Sequence, residues 1–85
     1  MEIITYPKSF SNLITVEINT DSEDHYIIIL SNHLGRNLRM MGVNLSQGKA
    51  RVHMNNLETL EAGTYKISVK NTQSNILHSS ILTKF

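Results

Sequence analysis

Four histidines, His25, His33, His53 and His78, are the side chains in this chain best suited to hold a metal or move a proton near neutral pH. They stand 8, 20 and 25 residues apart, and no pair has the i, i+2 or i, i+4 spacing that brings two imidazoles to one ion. Glu17, Asp21, Glu23 and Asp24 gather oxygen ligands in one region, but without the alternation of an EF-hand loop, and calcium needs about six to eight oxygens. The chain has no cysteine, which excludes thiolate metal sites and disulfides. No Ser–His–Asp arrangement can be singled out, and no glycine-rich phosphate loop is present. A chain of 85 residues also has little room for a deep, water-excluding cleft beside its core. These residues point to a non-enzyme with no metal and no cofactor.

Charge offers a second kind of chemistry. Lys49, Arg51 and His53 fall on one face of an alternating stretch and, with Arg36 and Arg39, form either a positive patch or a solvated sheet face. Eight basic residues against seven acidic ones leave a net charge of +1, so composition makes no case for a nucleic acid or an anionic membrane as partner.

The elements that must carry these residues have a period of two. Ile14, Val16 and Ile18 alternate with Thr15 and Glu17, as in a strand with one wet face. Residues 21–24 break the pattern as an acidic turn. The run Tyr26-Ile27-Ile28-Ile29-Leu30 reads as a central strand covered on both faces. Asn32-His33-Leu34-Gly35 is a turn, and residues 36–41 resume an extended segment. After the turn Ser46-Gln47-Gly48, Ala50, Val52 and Met54 point one way and Lys49, Arg51 and His53 the other. Residues 55–60 form a connection, with room for one helical turn, that delivers Leu57 and Leu60 inward. Tyr65, Ile67 and Val69 alternate with Lys66, Ser68 and Lys70. Asn71-Thr72-Gln73-Ser74-Asn75 is a polar hairpin loop, and residues 76–85 form a last strand. Six or seven short strands at intervals of about 8–12 residues predict a single domain over residues 1–85, an all-β, immunoglobulin-like antiparallel β-sandwich. An apolar fraction of 40% suffices for one such core.

Leu60-Glu61-Ala62-Gly63-Thr64-Tyr65 is the most specific local pattern. Gly63 supplies backbone freedom just before a strand opened by Tyr65. In immunoglobulin-like sandwiches a tyrosine at such a corner packs its ring inward and hydrogen-bonds its hydroxyl to nearby backbone.

Further pieces accompany that corner in a fixed order. Tyr6-Pro7-Lys8-Ser9-Phe10 keeps three of the five positions of a Tyr-Pro-Asn-Pro-Phe opening. Residues 27–30, Asn32 and Gly35-Arg36 match a hydrophobic strand, an Asp, two residues and Gly-Arg, with asparagine in the aspartate's place. Leu45-Ser46-Gln47-Gly48 gives a Leu-x-x-Gly turn, Leu60, Gly63 and Tyr65 give Leu-x-x-Gly-x-Tyr, and Ile81-Leu82-Thr83-Lys84-Phe85 is an apolar end with a basic residue. From Tyr6 to Lys84 the chain resembles the C-terminal sorting domain of the type IX (Por) secretion system, type A.

That resemblance implies a secretion signal at the end of an exported cargo. It would be recognised by the outer-membrane translocon and removed by a cell-surface sortase-like peptidase, with no nucleic acid or small-molecule substrate. The implied path runs through the periplasm to the cell surface or medium, on a separate signal peptide. Residues 1–7 have no basic segment followed by a long apolar one, so the expectation is an excised domain in which Met1 is native or added. Lys84, Phe85 and Arg36 are then the expected translocon contacts, whereas Tyr6, Pro7, Gly35, Gly48, Leu60, Gly63 and Tyr65 are expected to be structural. The competing expectation is an immunoglobulin-like structural or carbohydrate-binding accessory module, or a hook-assembly-type domain with the same corner and no need for Lys84. A monomer or a weak edge-strand dimer is expected in either case.

Overall fold

In the computed structural model, which describes residues 1–85, the chain is wholly β. Its strands are β1 (Glu2–Tyr6), β2 (Ser9–Phe10), β3 (Ile14–Thr20), β4 (Asp24–Asn32), β5 (Asn37–Leu45), β6 (Gly48–Met54), β7 (Gly63–Asn71) and β8 (Ile76–Lys84). A three-stranded sheet has the order β1-β3-β6, and a five-stranded sheet the order β2-β8-β7-β4-β5. Eight strands replace the six or seven expected. The two extra ones lie in residues 2–10, where Phe10 is buried, Ile3 and Thr5 are half-buried and the other residues are exposed. Too few apolar residues recur there for periodicity alone to show a strand. β2 also runs parallel to β8, so the five-stranded sheet is not purely antiparallel.

The core lies between the two sheets. Ile14, Val16 and Ile18 of β3 and Met54 of β6 meet Tyr26, Ile28 and Leu30 of β4, Tyr65, Ile67 and Val69 of β7 and Leu82 of β8. β4 runs between β5 and β7, and Ile29 on its outward face is still only 7% exposed. The strand expected from the Tyr26-Ile27-Ile28-Ile29-Leu30 run is therefore present between two neighbours, with its outward face covered at Ile29 and half-exposed at Ile27. β5 reaches Leu45, past the expected end at Met41. Gly42 lies inside it because a side chain there would meet the His25 ring at 3.2 Å. The segment between β6 and β7 has no helical turn; Leu60 N–H bonds Leu57 C=O in a simple turn that leaves Leu57 fully buried and Leu60 partly so.

Two hairpins share one construction. In β4–β5, Asn32 Oδ1 accepts the N–H groups of Leu34 and Arg36, each at 3.0 Å, and Gly35 N–H bonds Asn32 C=O. In β7–β8, Asn71 Oδ1 accepts from Gln73 and Asn75, each at 3.0 Å, and Ser74 N–H bonds Asn71 C=O. Each asparagine replaces ladder bonds that the tip cannot make. The residue three places on has positive φ, +83° at Gly35 and +64° at Ser74.

Candidate recognition end of the sandwich

The tyrosine corner forms as its residue types require. Gly63 has φ +147°, a backbone conformation that side-chain-bearing residues rarely adopt, and it turns the chain into β7. The Tyr65 ring is 6% exposed, and its hydroxyl donates to Glu61 C=O at 2.6 Å, across the turn that Gly63 makes. Phe10, 1% exposed, meets the Tyr65 ring edge-on with centroids 5.9 Å apart and planes at 67°. The Phe of the Tyr-Pro-x-x-Phe segment and the Tyr of the Leu-x-x-Gly-x-Tyr segment are thus one packing unit, which no pattern local to either segment could reveal.

Strand register gathers the remaining singled-out residues. Asn32 pairs with Tyr65, Gly63 with Lys84 and Phe10 with Lys84, so the β4–β5 hairpin, the start of β7 and the end of β8 share one end of the five-stranded sheet. Tyr6-Pro7 leads directly into β2 there, and Lys8 C=O accepts the Thr83 N–H at 2.8 Å. Tyr6, Pro7, Gly35, Arg36, Leu60, Gly63, Tyr65, Lys84 and Phe85 therefore converge. Gly48 does not: it pairs with Thr20 at the opposite end and has φ +114° where β6 begins. Met1 also lies at that opposite end, its ammonium 3.7 Å from Asp21.

At the converged end the surface is shallow. A depression of about 330 Å³ is lined by residues that include Asn32, His33, Leu38, Leu60, Glu61 and Tyr65. The three expected contacts divide in an unforeseen way. Arg36 is exposed at the hairpin, and Phe85 is 71% exposed while its N–H bonds Phe10 C=O. Lys84 is only 7% exposed: it points inward beside Leu82, and its ammonium donates to Phe85 C=O at 2.9 Å. The last basic residue is neither frayed nor presented to solvent, because β2 pairs with it on one side and β7 on the other.

The basic row on β6 is not a free positive patch. Glu17, across from Arg51, accepts a 3.0 Å hydrogen bond from Arg51 Nε, lies 3.5 Å from Lys49 Nζ and accepts the Tyr6 hydroxyl at 3.2 Å. The Arg51 hydrogen bond, with Lys49 and Tyr6 adding to it, holds the Glu17 carboxyl below the usual carboxylate range against a partial desolvation that opposes the shift. The same contact pushes the Arg51 guanidinium further into its charged form. His53 bonds Thr15 Oγ1 through Nδ1 at 3.0 Å. No group of three or more His, Asp or Glu residues is placed to hold a metal ion. No protein-family model matches the chain, and no curated protein matches it.

Proposed function

We propose that this chain is a protein-recognition module, the C-terminal sorting domain of a type IX-secreted protein, and that its recognition surface is the end of the sandwich carrying Arg36 and Phe85. The observation that supports this reading most is the convergence of Tyr6-Pro7, Gly35-Arg36, Leu60-x-x-Gly63-x-Tyr65 and Lys84-Phe85 at one end, with Met1 at the other. A cargo joined ahead of Met1 would leave that end unobstructed. Division of labour follows from burial. Tyr65, Phe10 and Lys84 build the end, while Arg36 and Phe85 present a guanidinium and an aromatic ring, side chains suited to a partner's carboxylates and apolar pockets.

A shallow depression favours binding over catalysis, and the hydroxyl–imidazole contact between Thr15 and His53 lies outside its lining, with Thr15 buried. Against a carbohydrate-binding role, the chain has no tryptophan, and Phe10, Tyr26 and Tyr65 are buried, leaving only Tyr6 and Phe85 as exposed aromatic surface. Residues 1–85 fused behind a signal peptide and a fluorescent reporter, in a host with a type IX system, should carry the reporter out of the cell. The same fusion lacking residues 76–85 should remain periplasmic. Retention of both fusions in the periplasm, or export of both, would reject the reading.

A further inference from the structure

The face of the five-stranded sheet that points away from the core carries charge of one sign. On β7, Lys66, Ser68 and Lys70 alternate with the core residues Ile67 and Val69; on β4, Ile29 and Ser31 alternate with Ile28 and Leu30. Register sets Ser68 beside Ile29, Lys66 beside Ser31 and Lys70 beside Ile27. Neither lysine makes an ion pair, whereas Lys49 and Arg51 on the other sheet share Glu17. The only carboxylate in the five strands is Asp24, at the start of β4, where it accepts the His25 N–H.

Between the two lysines lies a depression of about 110 Å³, lined by Ile29, Ser31, Asn37, Ser68 and the lysines themselves. Its floor is polar and nearly closed, with Ser31 and Ser68 each 5% exposed. Ser31 donates its hydrogen to Lys66 C=O at 3.4 Å, but the Ser68 hydroxyl has no hydrogen-bond partner in the protein. His78 Nε2 is the only side-chain atom sealed from solvent without a partner, so the Ser68 oxygen is open to the depression. Nearly buried polar groups ordinarily find partners. Here an unpaired hydroxyl sits between two unpaired ammonium groups on its own strand, a set of donors without an acceptor.

We propose that this depression binds one doubly charged tetrahedral oxyanion, the terminal group of a phosphate monoester, between Lys66 and Lys70. Two ammonium groups match two negative charges, whereas a carboxylate or a sulfate ester brings one and leaves a lysine uncompensated. Planar carboxylates are best met by the fork of an arginine, and no arginine lines the depression; lysines act as point charges and suit a tetrahedral group. The Ser68 hydroxyl donates to a third oxygen at the floor. The volume is well below the roughly 300–1,000 Å³ that encloses a whole small molecule, so the site takes the phosphate alone. The rest of the ligand lies outside, beside Ile76, which lines the rim and is 59% exposed. A free monoester and a lipid headgroup share this chemistry. The site stands apart from the secretion reading, which concerns Arg36 and Phe85 at the end of the sandwich.

Amide chemical shifts followed by NMR during anion titrations at constant ionic strength test it. Inorganic phosphate and glycerol phosphate should give saturable shifts at Ser31 and Ser68, with a Kd of about 1–10 mM, and acetate should bind at least about fivefold more weakly. Lys66→Gln, Lys70→Gln and Ser68→Ala should each weaken phosphate binding by at least about threefold, and Lys49→Gln on the other sheet should leave it as it was. The melting temperatures of the two lysine variants should match the wild type. From about pH 8 to about pH 5 phosphate loses its second charge while sulfate keeps both, so phosphate should weaken several-fold relative to sulfate. Protonation of His25 or His33, the histidines of this face and its hairpin, acts on both anions and cancels in that ratio. Vesicles with phosphatidic acid, set beside phosphatidylcholine alone, separate the two sources. Co-sedimentation lost in Lys66→Gln assigns a lipid headgroup; no co-sedimentation beside a saturable response to glycerol phosphate assigns a free monoester. The proposal is overturned by no response to phosphate or to phosphatidic acid, by equal affinity for acetate and phosphate, or by binding that all three variants leave unmoved.

Discussion

At the scale of single residues, Tyr65 holds more of the structure together than any group at the surface. Its ring fills the core against Phe10, and its hydroxyl fastens the turn before β7 to the strand itself. Tyr65→Phe keeps the ring and removes the 2.6 Å bond to Glu61 C=O, which should cost about 1–1.5 kcal/mol in chemical denaturation. Tyr65→Ala also empties the ring site and should cost about 3–5 kcal/mol. Equal losses for the two variants would show that the hydroxyl, not the ring, carries the corner. Glu17 makes a separate prediction. Its carboxyl titrates lower in the folded protein than in the unfolded chain, so folding favours the ionised form. The resulting stabilisation is present above the ordinary glutamate pKa and is lost as pH falls through the lower, folded value. The stability difference between wild type and Glu17→Gln should therefore be largest near neutrality and shrink through that acid window. High salt should reduce it, because the cluster is at the surface. A difference that grew on acidification would contradict the assigned partners.

At the scale of elements, the two asparagine-based hairpins form a natural comparison. Asn32→Asp keeps a side-chain oxygen acceptor for Leu34 and Arg36 and should be nearly neutral. Asn71→Ala should cost about 1 kcal/mol by leaving Gln73 and Asn75 without their acceptor. Ser74→Gly should stabilise by about 0.5–1 kcal/mol, because Ser74 has φ +64° where Gly35 has +83° in the equivalent place. Thermal melts of the three variants check this ordering, and a destabilised Ser74→Gly would refute the strain assigned there. Much of this level was legible in the sequence. Strict alternation at Tyr65, Ile67, Val69 marks a strand whose inner face forms the core, and the same period at Ala50, Val52, Met54 marks one that reaches it fully only at Met54, with Val52 partly buried against it. β1 and β2 were not legible, because their structure comes from partners distant in sequence, Thr15 to Asn19 for β1 and Thr83 and Lys84 for β2. The burial of Lys84 was hidden for a related reason, because the strands that enclose it pair with it through Phe10 and Gly63, both distant in sequence.

At the scale of the whole molecule, the chain is an elongated body of 36 × 21 × 17 Å whose ends differ in character. Met1 and the acidic turn with Asp21, Glu23 and Asp24 occupy one end; the hairpin carrying Arg36, the tyrosine corner and Phe85 occupy the other. That polarity was hidden from the linear chain, where Arg36, Tyr65 and Phe85 are far apart, and only the strand register joins them. In the proposed function, a secretion partner reads the Arg36–Phe85 end while the buried residues only build it. The most direct measurement is reporter export by the double variant Arg36→Ala, Phe85→Ala beside an Asp21→Asn control, with the melting temperature of each domain recorded. The double variant should melt like the wild type yet leave its reporter in the periplasm, and the control should be exported. Export of the folded double variant at the wild-type level would contradict it.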